Sequence, residues 1–266
     1  MIIIGERINS TRPQVQKAMN ARNASYIEAE ASRQLKAGSE ILDVNCAMGH
    51  ENEVQNIDWT ISVIQSMFPG IGICVDSPNY LAIEAALKTY MGKGERFINS
   101  ITADQKRIDL IIPLALKYRA KVIALAMDEN GMPEDVKGRV EIARKIVQRT
   151  GKAGLPEEDL FIDPLIRPVS TEPAQAKAFL DSIPRIKEIG PVRIVCGLSN
   201  ISFGLPRRSI INSVFLSLAI NGGIDACIMD PTDPYVMSSL FASHAILGKD
   251  DFCSQYIQTF RDGRLV

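Results

Sequence analysis

The chain has 266 residues, of which 46% are hydrophobic and 23% charged, and 30 basic against 31 acidic side chains give a net charge of −1. This is the composition of an ordinary globular protein with material for a large core, so a mainly disordered chain is excluded. The balanced charge and an aromatic content of 6% also argue against nucleic acid or an anionic membrane as the partner.

We expect neither a membrane span nor a signal peptide in this sequence. No apolar run approaches the roughly 18 residues that a membrane span needs, and the N-terminus reaches Glu6 and Arg7 too early for a signal peptide. The cysteines are widely spaced and lack a C-x-x-C pair: Cys46, Cys74, Cys196, Cys227 and Cys253. We therefore predict a cytoplasmic protein whose cysteines are small buried apolar groups.

Short β-branched apolar runs alternate with longer segments of helical period along the whole chain. The predicted strands are Ile2–Glu6, Ile41–Asn45, Ile73–Asp76, Phe97–Ser100, Val122–Ala126, Phe161–Asp163, Ile194–Leu198 and Ala226–Met229. Their nearly continuous hydrophobicity is typical of strands covered on both faces. The clearest helix carries a stripe of Ile210, Ile211, Val214, Phe215, Leu218 and Ala219, and a final helix is expected after Asp250.

Eight strand–helix units in this length predict one closed (β/α)8 barrel domain spanning residues 1–266. The competing architecture is an open doubly wound sheet. That fold usually has a glycine-rich turn after its first strand, whereas here the strand leads into Glu6-Arg7-Ile8-Asn9-Ser10-Thr11. The sequence therefore favours the α/β barrel of the TIM type.

Polar side chains follow most of the predicted strands. They are Glu6, Arg7 and Asn9, then Asp43 and Asn45, Asp76 and Ser77, Asn99 and Ser100, Asp163, and Ser199 and Asn200. Each alone is also a common cap or turn residue. In a barrel, however, all these strand ends lie at one mouth, which predicts a shared ligand site there. Carboxylates and carboxamides together match a planar heterocycle with adjacent donors and acceptors, such as a pterin.

Six segments, in order and in spacing, resemble one known family. They are Gly5-Glu6-Arg7-Ile8-Asn9, Leu42-Asp43-Val44-Asn45, Val75-Asp76-Ser77, Ile98-Asn99-Ser100, Ile162-Asp163-Pro164-Leu165 and Gly197-Leu198-Ser199-Asn200-Ile201-Ser202. The chain resembles the methyltetrahydrofolate:corrinoid/iron–sulfur protein methyltransferase family, to which the folate domain of cobalamin-dependent methionine synthase is related. The resemblance covers essentially the full chain.

The resemblance implies an enzyme that moves a methyl group, in either direction, between tetrahydrofolate and the cobalt of a corrinoid on a partner protein. It also implies a homodimer, and O-demethylation is one pathway setting for such an enzyme. The direction of transfer and the identity of the partner are not readable from the sequence. Substrate-binding positions carried over by the resemblance are Glu6, Asp76, Asn99, Asp163, Gly197, Ser199, Asn200 and Arg208.

Three of these positions are also predicted to be catalytic: Asn200, Asp76 and Asp163. Asn200 would lie beside the pterin nitrogen that carries the methyl group, and the two aspartates would tune the proton affinity of the ring. Arg208 has two open interpretations, since it would either meet the folate tail or begin a solvated helix. One residue departs from the family, because Phe203 replaces a glutamine, which puts the preference for partner or direction in doubt.

Several alternatives remain open from the sequence. A dihydropteroate synthase-like enzyme would share barrel and pterin site, but the T-P-D-S-F segment of that family is missing here. A metal-dependent enzyme would use Glu6, Asp43, Asp76 and Asp163 as oxygen ligands, although our prediction contains no metal. A folate-binding module without turnover is the third option. His50 is expected to be a surface loop residue.

Overall fold

The computed structural model describes residues 1–48 and 52–266, so His50 lies outside the described residues. The strands are β1 (Ile2–Asn9), β2 (Ile41–Asn45), β3 (Gly72–Asp76), β4 (Arg96–Ile101), β5 (Lys121–Leu125), β6 (Leu160–Asp163), β7 (Arg193–Gly197) and β8 (Ala226–Met229). The helices are α1 (Pro13–Asn20), α2 (Ala24–Lys36), α3 (Glu53–Met67), α4 (Tyr80–Thr89), α5 (Gln105–Tyr118), α6 (Val136–Lys152), α7 (Gln175–Lys187), α8 (Arg208–Gly222), α9 (Pro234–Ile246) and α10 (Ser254–Arg261).

The strands form a closed barrel in sequence order, and every neighbouring pair is parallel, including β1 with β8. The predicted TIM-barrel fold is therefore confirmed. Between successive strands a helix returns the chain to the start of the next strand, so the carboxyl ends of all eight strands open at one mouth. β1 contains a bulge between Gly5 and Ile8 and continues to Asn9, three residues beyond its predicted end at Glu6.

The core has two parts, one between the strands and the helices and one inside the barrel. Helices α5 and α6 each bury one face, on which apolar residues recur at helical period. Inside the barrel lies a separate apolar layer, here called the lumen layer, made of Ile4, Ile41, Cys74, Phe97, Ile123, Phe161, Val195 and Ala226. This layer fills the barrel below its mouth, because alternate strand residues point inward.

Two predictions about burial are partly wrong. In α8, Phe215 and Ala219 are buried, but Ile210, Val214 and Leu218 lie on the outer side of the helix and are about half exposed. Because α8 is apolar on more than one face, the spacing of its apolar residues does not identify which face packs against the core. Among the cysteines, the exposed Cys253 is the exception, because it precedes the surface helix α10. In the described part of the chain, no helix is both long and apolar enough to cross a bilayer.

Candidate functional site

A polar layer lies directly above the lumen layer, on the side of the barrel mouth. Inward-facing positions recur every second residue along a strand, so the next inward residue is found two positions later. The pairs are Ile4 and Glu6, Ile41 and Asp43, Cys74 and Asp76, Phe97 and Asn99, Phe161 and Asp163, and Val195 and Gly197. The structure thus brings Glu6, Asp76, Asn99, Asp163 and Gly197 to one mouth.

Strands β2, β3 and β4 contribute one connected group of polar side chains. Asn45 pairs with Asp76 in register, and its Nδ2 donates to Asp76 Oδ2 at 2.9 Å. Ser10 Oγ donates to Asn45 Oδ1 at 3.1 Å, which fixes the orientation of that amide. Asp76 is in turn the register partner of Asn99. The side chains of this group therefore form one continuous edge of the mouth.

Asp43 is the most deeply buried carboxyl of this group. It is 2% exposed, and its Oδ1 has no hydrogen-bond partner among the described residues. Burial raises the pKa of Asp43 well above its usual value, and the charge of Asp76 adds to this, whereas Cys74 and Asn99 partly oppose it. Burial also raises the pKa of Asp76, with Asn45 opposing that shift. These two carboxyls therefore resist being ionised together.

Glu6 lies between β1 and the loop after β7. Its Oε1 accepts a hydrogen bond from Ser199 Oγ at 2.6 Å. Burial raises the pKa of Glu6, whereas the hydrogen bond from Ser199 and the charges of Arg12 and Arg208 lower it. Glu6 and Ser199, each predicted from the sequence to bind the substrate, are thus joined by a hydrogen bond, and Arg12 and Arg208 lie near Glu6.

Asp163 at the end of β6 is fixed by main-chain donors. Leu165 N donates to Asp163 Oδ1 at 2.8 Å, and the backbone amide of Gly197 also bonds this carboxyl. Burial raises the pKa of Asp163 to about 7, although these two bonds and the charge of Arg139 oppose the shift. Asp163 is therefore close to half ionised at neutral pH.

Asn200 lies on the short 3-10 helix Leu198–Ser202 that follows β7. Its side chain is exposed and makes no hydrogen bond to another described residue. A Cβ added at Gly197 would lie 3.2 Å from Asn200 Nδ2, so the amide turns back over the end of β7. Phe203, which ends this segment, is 66% exposed. The carboxamide is therefore available to a molecule that enters the mouth.

Arg208 begins α8 and is turned towards the loop that carries Asn200. Its Nε donates to Ser202 Oγ at 3.0 Å, and its Nη2 donates to the carbonyl oxygen of Ser199. The guanidinium therefore connects α8 to the 3-10 segment. This contact explains how a loop residue such as Asn200 can keep one position, which neither interpretation of Arg208 from the sequence included.

Our predicted ligand set omitted three residues that belong to this arrangement. Asp43 and Asn45 are among the polar residues at the predicted strand ends, and counting two positions from Ile41 identifies Asp43 as an inward-facing group. Arg139 on α6 is fully buried, and its Nε and Nη1 lack partners among the described residues while its Nη2 reaches Gln175. No sequence signal indicated that this arginine would lie behind Asp163.

A depression of about 390 Å³ opens at the mouth beside β3 and β4. Its lining is mostly polar: Asp76, Ser77, Pro78, Asn99, Ser100, Thr102, Asp104 and Arg107. Across the residues that the structure describes, no group of three His, Cys, Asp or Glu side chains is placed to hold a metal ion. The arrangement gives the metal-dependent alternative no support, whereas its alternating donors and acceptors suit a flat nitrogen heterocycle.

Comparison with protein families gives a match to the pterin binding enzymes over residues 5–230. The chain belongs to this family. The methylcorrinoid:tetrahydrofolate methyltransferase of Eubacterium limosum is 33% identical over 268 residues, covering 100% of this chain and 98% of that protein. Methionine synthase of Mycobacterium tuberculosis is 28% identical over 243 residues, but this chain spans 20% of its length.

Solved structures of other pterin-binding proteins share the barrel. The dihydropteroate synthase of Xanthomonas albilineans in complex with 7,8-dihydropteroate has a TM-score of 0.68 at 21% identity, covering 92% of each chain. That of Yersinia pestis with a pterine-sulfa conjugate has a TM-score of 0.69 at 14% identity, covering 93% of this chain and 94% of that one. At these identities the likeness shows the fold of this pterin-binding enzyme and nothing about its reaction.

Proposed function

We propose that this pterin-binding enzyme moves a methyl group between tetrahydrofolate and the cobalt of a corrinoid carried by a partner protein. The observation that carries the proposal is the full-length relationship, at 33% identity, to a protein named methylcorrinoid:tetrahydrofolate methyltransferase. The dihydropteroate synthases resemble the chain in fold alone, at 14% to 21% identity in the two comparisons above. The polar layer supplies the groups that the reaction requires.

In this proposal the pterin ring lies on the polar layer, with its plane across the mouth. Ionised Asp163 and Asp76 accept N–H donors from the aminopyrimidinone edge, and Asn99 both donates and accepts. A carboxyl whose pKa is raised, such as Asp43, supplies an O–H donor to a ring acceptor. Glu6 and Ser199 form the adjacent wall, and Gly197 allows the ring to approach the backbone closely because it has no side chain.

Asn200 is proposed to assist the chemical step. When methyltetrahydrofolate is the donor, the bond between the pterin N5 and the methyl carbon breaks, and cobalt(I) supplies the electron pair of the new cobalt–carbon bond. The nitrogen would leave as a very basic anion unless a proton or a hydrogen bond reached it. A carboxamide donates to the nitrogen lone pair in the donor and accepts from the N–H of the product.

Asp76 and Asp163 would act on the same step through charge. Both carboxyls have a raised pKa because of burial, so each holds a proton at a higher pH than an exposed aspartate does. A proton required at the pterin nitrogen is then held close to the ring. When protonated, the pair can supply a proton as the methyl group leaves the nitrogen, and when ionised it can take the proton back as the reaction runs in reverse.

The corrinoid has to reach the methyl group in line with the breaking bond. The 266 residues contain no D-x-H-x-x-G corrinoid-binding motif, because Met48 and Ala242 stand where the aspartates before His50 and His244 would be. We therefore propose that the corrinoid arrives on a separate protein that docks over the mouth. We also propose that the enzyme is cytoplasmic and that residues 1–266 form a single domain. We further propose that it is a homodimer and that it acts in O-demethylation.

A spectrophotometric assay tests the function in both directions. Cobalt(I) cobalamin with methyltetrahydrofolate, and methylcobalamin with tetrahydrofolate, are each mixed with the chain while the cobalt spectrum is followed. We expect protein-dependent formation of methylcobalamin in the first mixture and its loss in the second. Absence of any spectral change with free cobalamin and with isolated corrinoid proteins would contradict the proposal. Folate binding without transfer would identify a binding module.

A further inference from the structure

Arg107, in the first turn of α5, makes three hydrogen bonds to main-chain oxygens at the barrel mouth. Its Nη2 donates to the carbonyl oxygen of Ser77 at 2.9 Å and its Nη1 to that of Pro78 at 2.7 Å, both in the loop after β3. Its Nε donates to the carbonyl oxygen of Ser100, near the end of β4, at 3.1 Å. One guanidinium therefore connects the ends of two neighbouring strands.

Two of the carbonyls that Arg107 holds lie next to predicted ligands of the pterin. Ser77 directly follows Asp76, and Ser100 directly follows Asn99. Asp76 and Asn99 are register partners on β3 and β4, and their side chains must keep one separation to meet the same ring edge. A residue that holds the main chain one position beyond each of them acts directly on that separation.

The loop after β3 is also held from its other side, by α3. Glu53 at the start of α3 is 3% exposed. Its carboxylate accepts hydrogen bonds from Ser77 Oγ at 2.5 Å and from Asn79 Nδ2 at 3.3 Å. These bonds fix the loop against α3, whereas the bonds of Arg107 fix the same loop relative to β4.

The guanidinium of Arg107 is directed to main-chain oxygens although a carboxylate is near. Burial lowers the pKa of Arg107, and the charge of Asp104 opposes that shift. Asp104 is the N-cap of α5, and its Oδ1 accepts a hydrogen bond from Lys106 N at 3.0 Å. The planar guanidinium, with donors on three nitrogens, suits acceptors that lie on two separate segments of the chain.

We propose that Arg107 is a positioning residue for the pterin ring, acting through Asp76 and Asn99. This inference rests on the proposed function, because it takes these two residues as ligands of the ring. Arg107 lines the same depression as they do, and its bonds hold them at the separation at which one ring edge meets both. Arg208, at the start of α8, holds the loop that carries Asn200 in a similar way.

The experiment measures binding of the ring separately from binding of the whole folate. Calorimetry on the intact protein gives the affinity for tetrahydrofolate and for 6-methyltetrahydropterin, which has the ring but not the tail. Arg107→Met keeps an unbranched apolar stem and removes every donor of the guanidinium. Arg107→Lys retains the positive charge but has one nitrogen in place of three. Urea denaturation shows whether each variant is folded.

Arg96→Met is the matched control. Arg96 is half-buried, as Arg107 is, and its Nη2 donates to the carbonyl oxygens of Tyr90 and Gly92 at 3.3 Å each. It stands at the start of β4, so it lies at the end of the barrel opposite the mouth. The control therefore removes a guanidinium that is bonded to a loop, but at a place where no ring is proposed to bind.

We expect Arg107→Met to bind both ligands about ten- to a hundredfold more weakly than the wild type, because two hydrogen-bonding partners of the ring are displaced together. The KM for methyltetrahydrofolate should rise by a similar factor. The rate of transfer at saturating folate should fall less, by about threefold at most, because Arg208 still holds the loop of Asn200. Arg107→Lys should remain weaker than the wild type, and Arg96→Met should bind both ligands normally.

Four results would overturn the positioning role. The first is wild-type affinity for 6-methyltetrahydropterin in Arg107→Met, and the second is wild-type affinity in Arg107→Lys, which would assign the effect to charge alone. The third is a loss with tetrahydrofolate but not with the pterin, which would place Arg107 on the tail. The fourth is an equal loss in Arg96→Met. If Arg107→Met does not fold, Arg107→Lys decides the question.

A failure of the proposed function gives a different result. In that case the wild type itself binds no folate, or binds it without transferring a methyl group, whatever the variants do. If the wild type binds and transfers while Arg107→Met keeps its affinity for the ring, the positioning role alone is wrong. Measurements on the wild type thus test the function, and the comparison with the variants tests the inference.

Discussion

The inside of the barrel contains two layers with opposite properties, although the same strands build both. The lumen layer is fully buried and apolar, and Phe97 and Phe161 meet in it edge to face with ring centroids 5.0 Å apart. The polar layer, one inward position further along, holds Glu6, Asp43 and Asp163, and burial raises the pKa of each of them. On one strand, successive inward-facing positions thus have different tasks: the first packs in the core and the next lines the ligand site.

The comparison shows where the molecule places its unfavourable interactions. Apolar burial stabilises the barrel, whereas each buried carboxyl is costly when ionised. A layer of such carboxyls is tolerated because the layer beneath it, with the surrounding helices, supplies the stability. Changes in the lumen layer should therefore alter folding, and changes in the polar layer should alter function.

The largest expected effect comes from the lumen layer. Phe161→Ala removes a fully buried ring that packs on Phe97, which should lower the free energy of unfolding by about 3–5 kcal/mol. Urea denaturation followed by circular dichroism measures this. Phe252→Ala makes the same chemical change at a residue that is 99% exposed, and should stay within about 0.5 kcal/mol of the wild type. Equal losses in the two variants would contradict the assignment of the lumen layer as the packed part of the barrel.

The second-largest effect is expected at the barrel mouth, where a substitution should alter catalysis and leave stability unchanged. Asn200→Ala should lower the rate of methyl transfer about a hundredfold or more, since it removes a donor needed as the carbon–nitrogen bond breaks. Its side chain is exposed and makes no bond within the described structure, so the unfolding free energy should hardly change. The rate of a single turnover with cobalamin measures catalysis, and calorimetry measures folate affinity. The two experiments together separate an effect on the chemical step from an effect on binding.

Asn221→Ala is the matched control, because Asn221 is exposed at the last turn of α8, at the opposite end of the barrel. It should transfer methyl groups at the wild-type rate. An Asn200→Ala variant of normal transfer rate would assign the chemical step to another group of the polar layer. In that event the difference between the lumen layer and the polar layer would still hold, but the catalytic role proposed for the loop after β7 would be wrong.

The sequence predicted the parts of this molecule that depend on local pattern. All eight strands lie where apolar runs predicted them, within a few residues at the ends, because strands covered on both faces must be apolar throughout. The polar mouth also followed, since parallel strands bring their carboxyl ends together. The outer stripe of α8 was assigned wrongly because its sequence is apolar on more than one face.

The remaining features depend on contacts between distant residues. Nothing near Arg139 in the sequence indicates that α6 places it, fully buried, behind Asp163 on β6. The hydrogen bond between Ser199 and Glu6 joins residues 193 positions apart. The contact of Arg208 with the loop after β7 depends on how the first turn of α8 is oriented towards that loop. Local pattern gives the candidate residues, and tertiary structure decides which of them meet.

A smaller effect concerns the pH dependence of the polar layer. The pKa of Asp163 is raised from 3.8 to about 7, so between these values the folded protein binds a proton that the unfolded chain has released. Its contribution to stability is therefore complete below pH 3.8 and is lost as pH rises to about 7. Asp163→Asn removes this contribution, so the wild type should lose up to about 1.4 kcal/mol per pH unit relative to the variant.

Urea unfolding of both proteins across this pH range measures the difference between their free energies of unfolding. The contributions of Glu6, Asp43 and Asp76 to the pH dependence cancel in this difference, because both proteins contain these residues. Tetrahydrofolate affinity should rise with pH through about 7 in the wild type, because the ionised carboxylate accepts the N–H donors, and should vary less in the variant. Parallel stability curves for the two proteins would show that Asp163 keeps an ordinary pKa and that its environment is polar rather than buried.

The smallest expected effect distinguishes Arg139 as a positioning charge from Arg139 as a packing residue. Its charge lowers the pKa of Asp163, against the effect of burial. Arg139→Met keeps most of the side-chain volume and removes this charge, so the midpoint of tetrahydrofolate binding against pH should move upward, by less than about one unit. Arg139→Lys retains a positive charge and should return the midpoint towards the wild-type value. A packing role alone would lower stability in both variants and leave both midpoints unchanged, because it does not act on the protonation of Asp163.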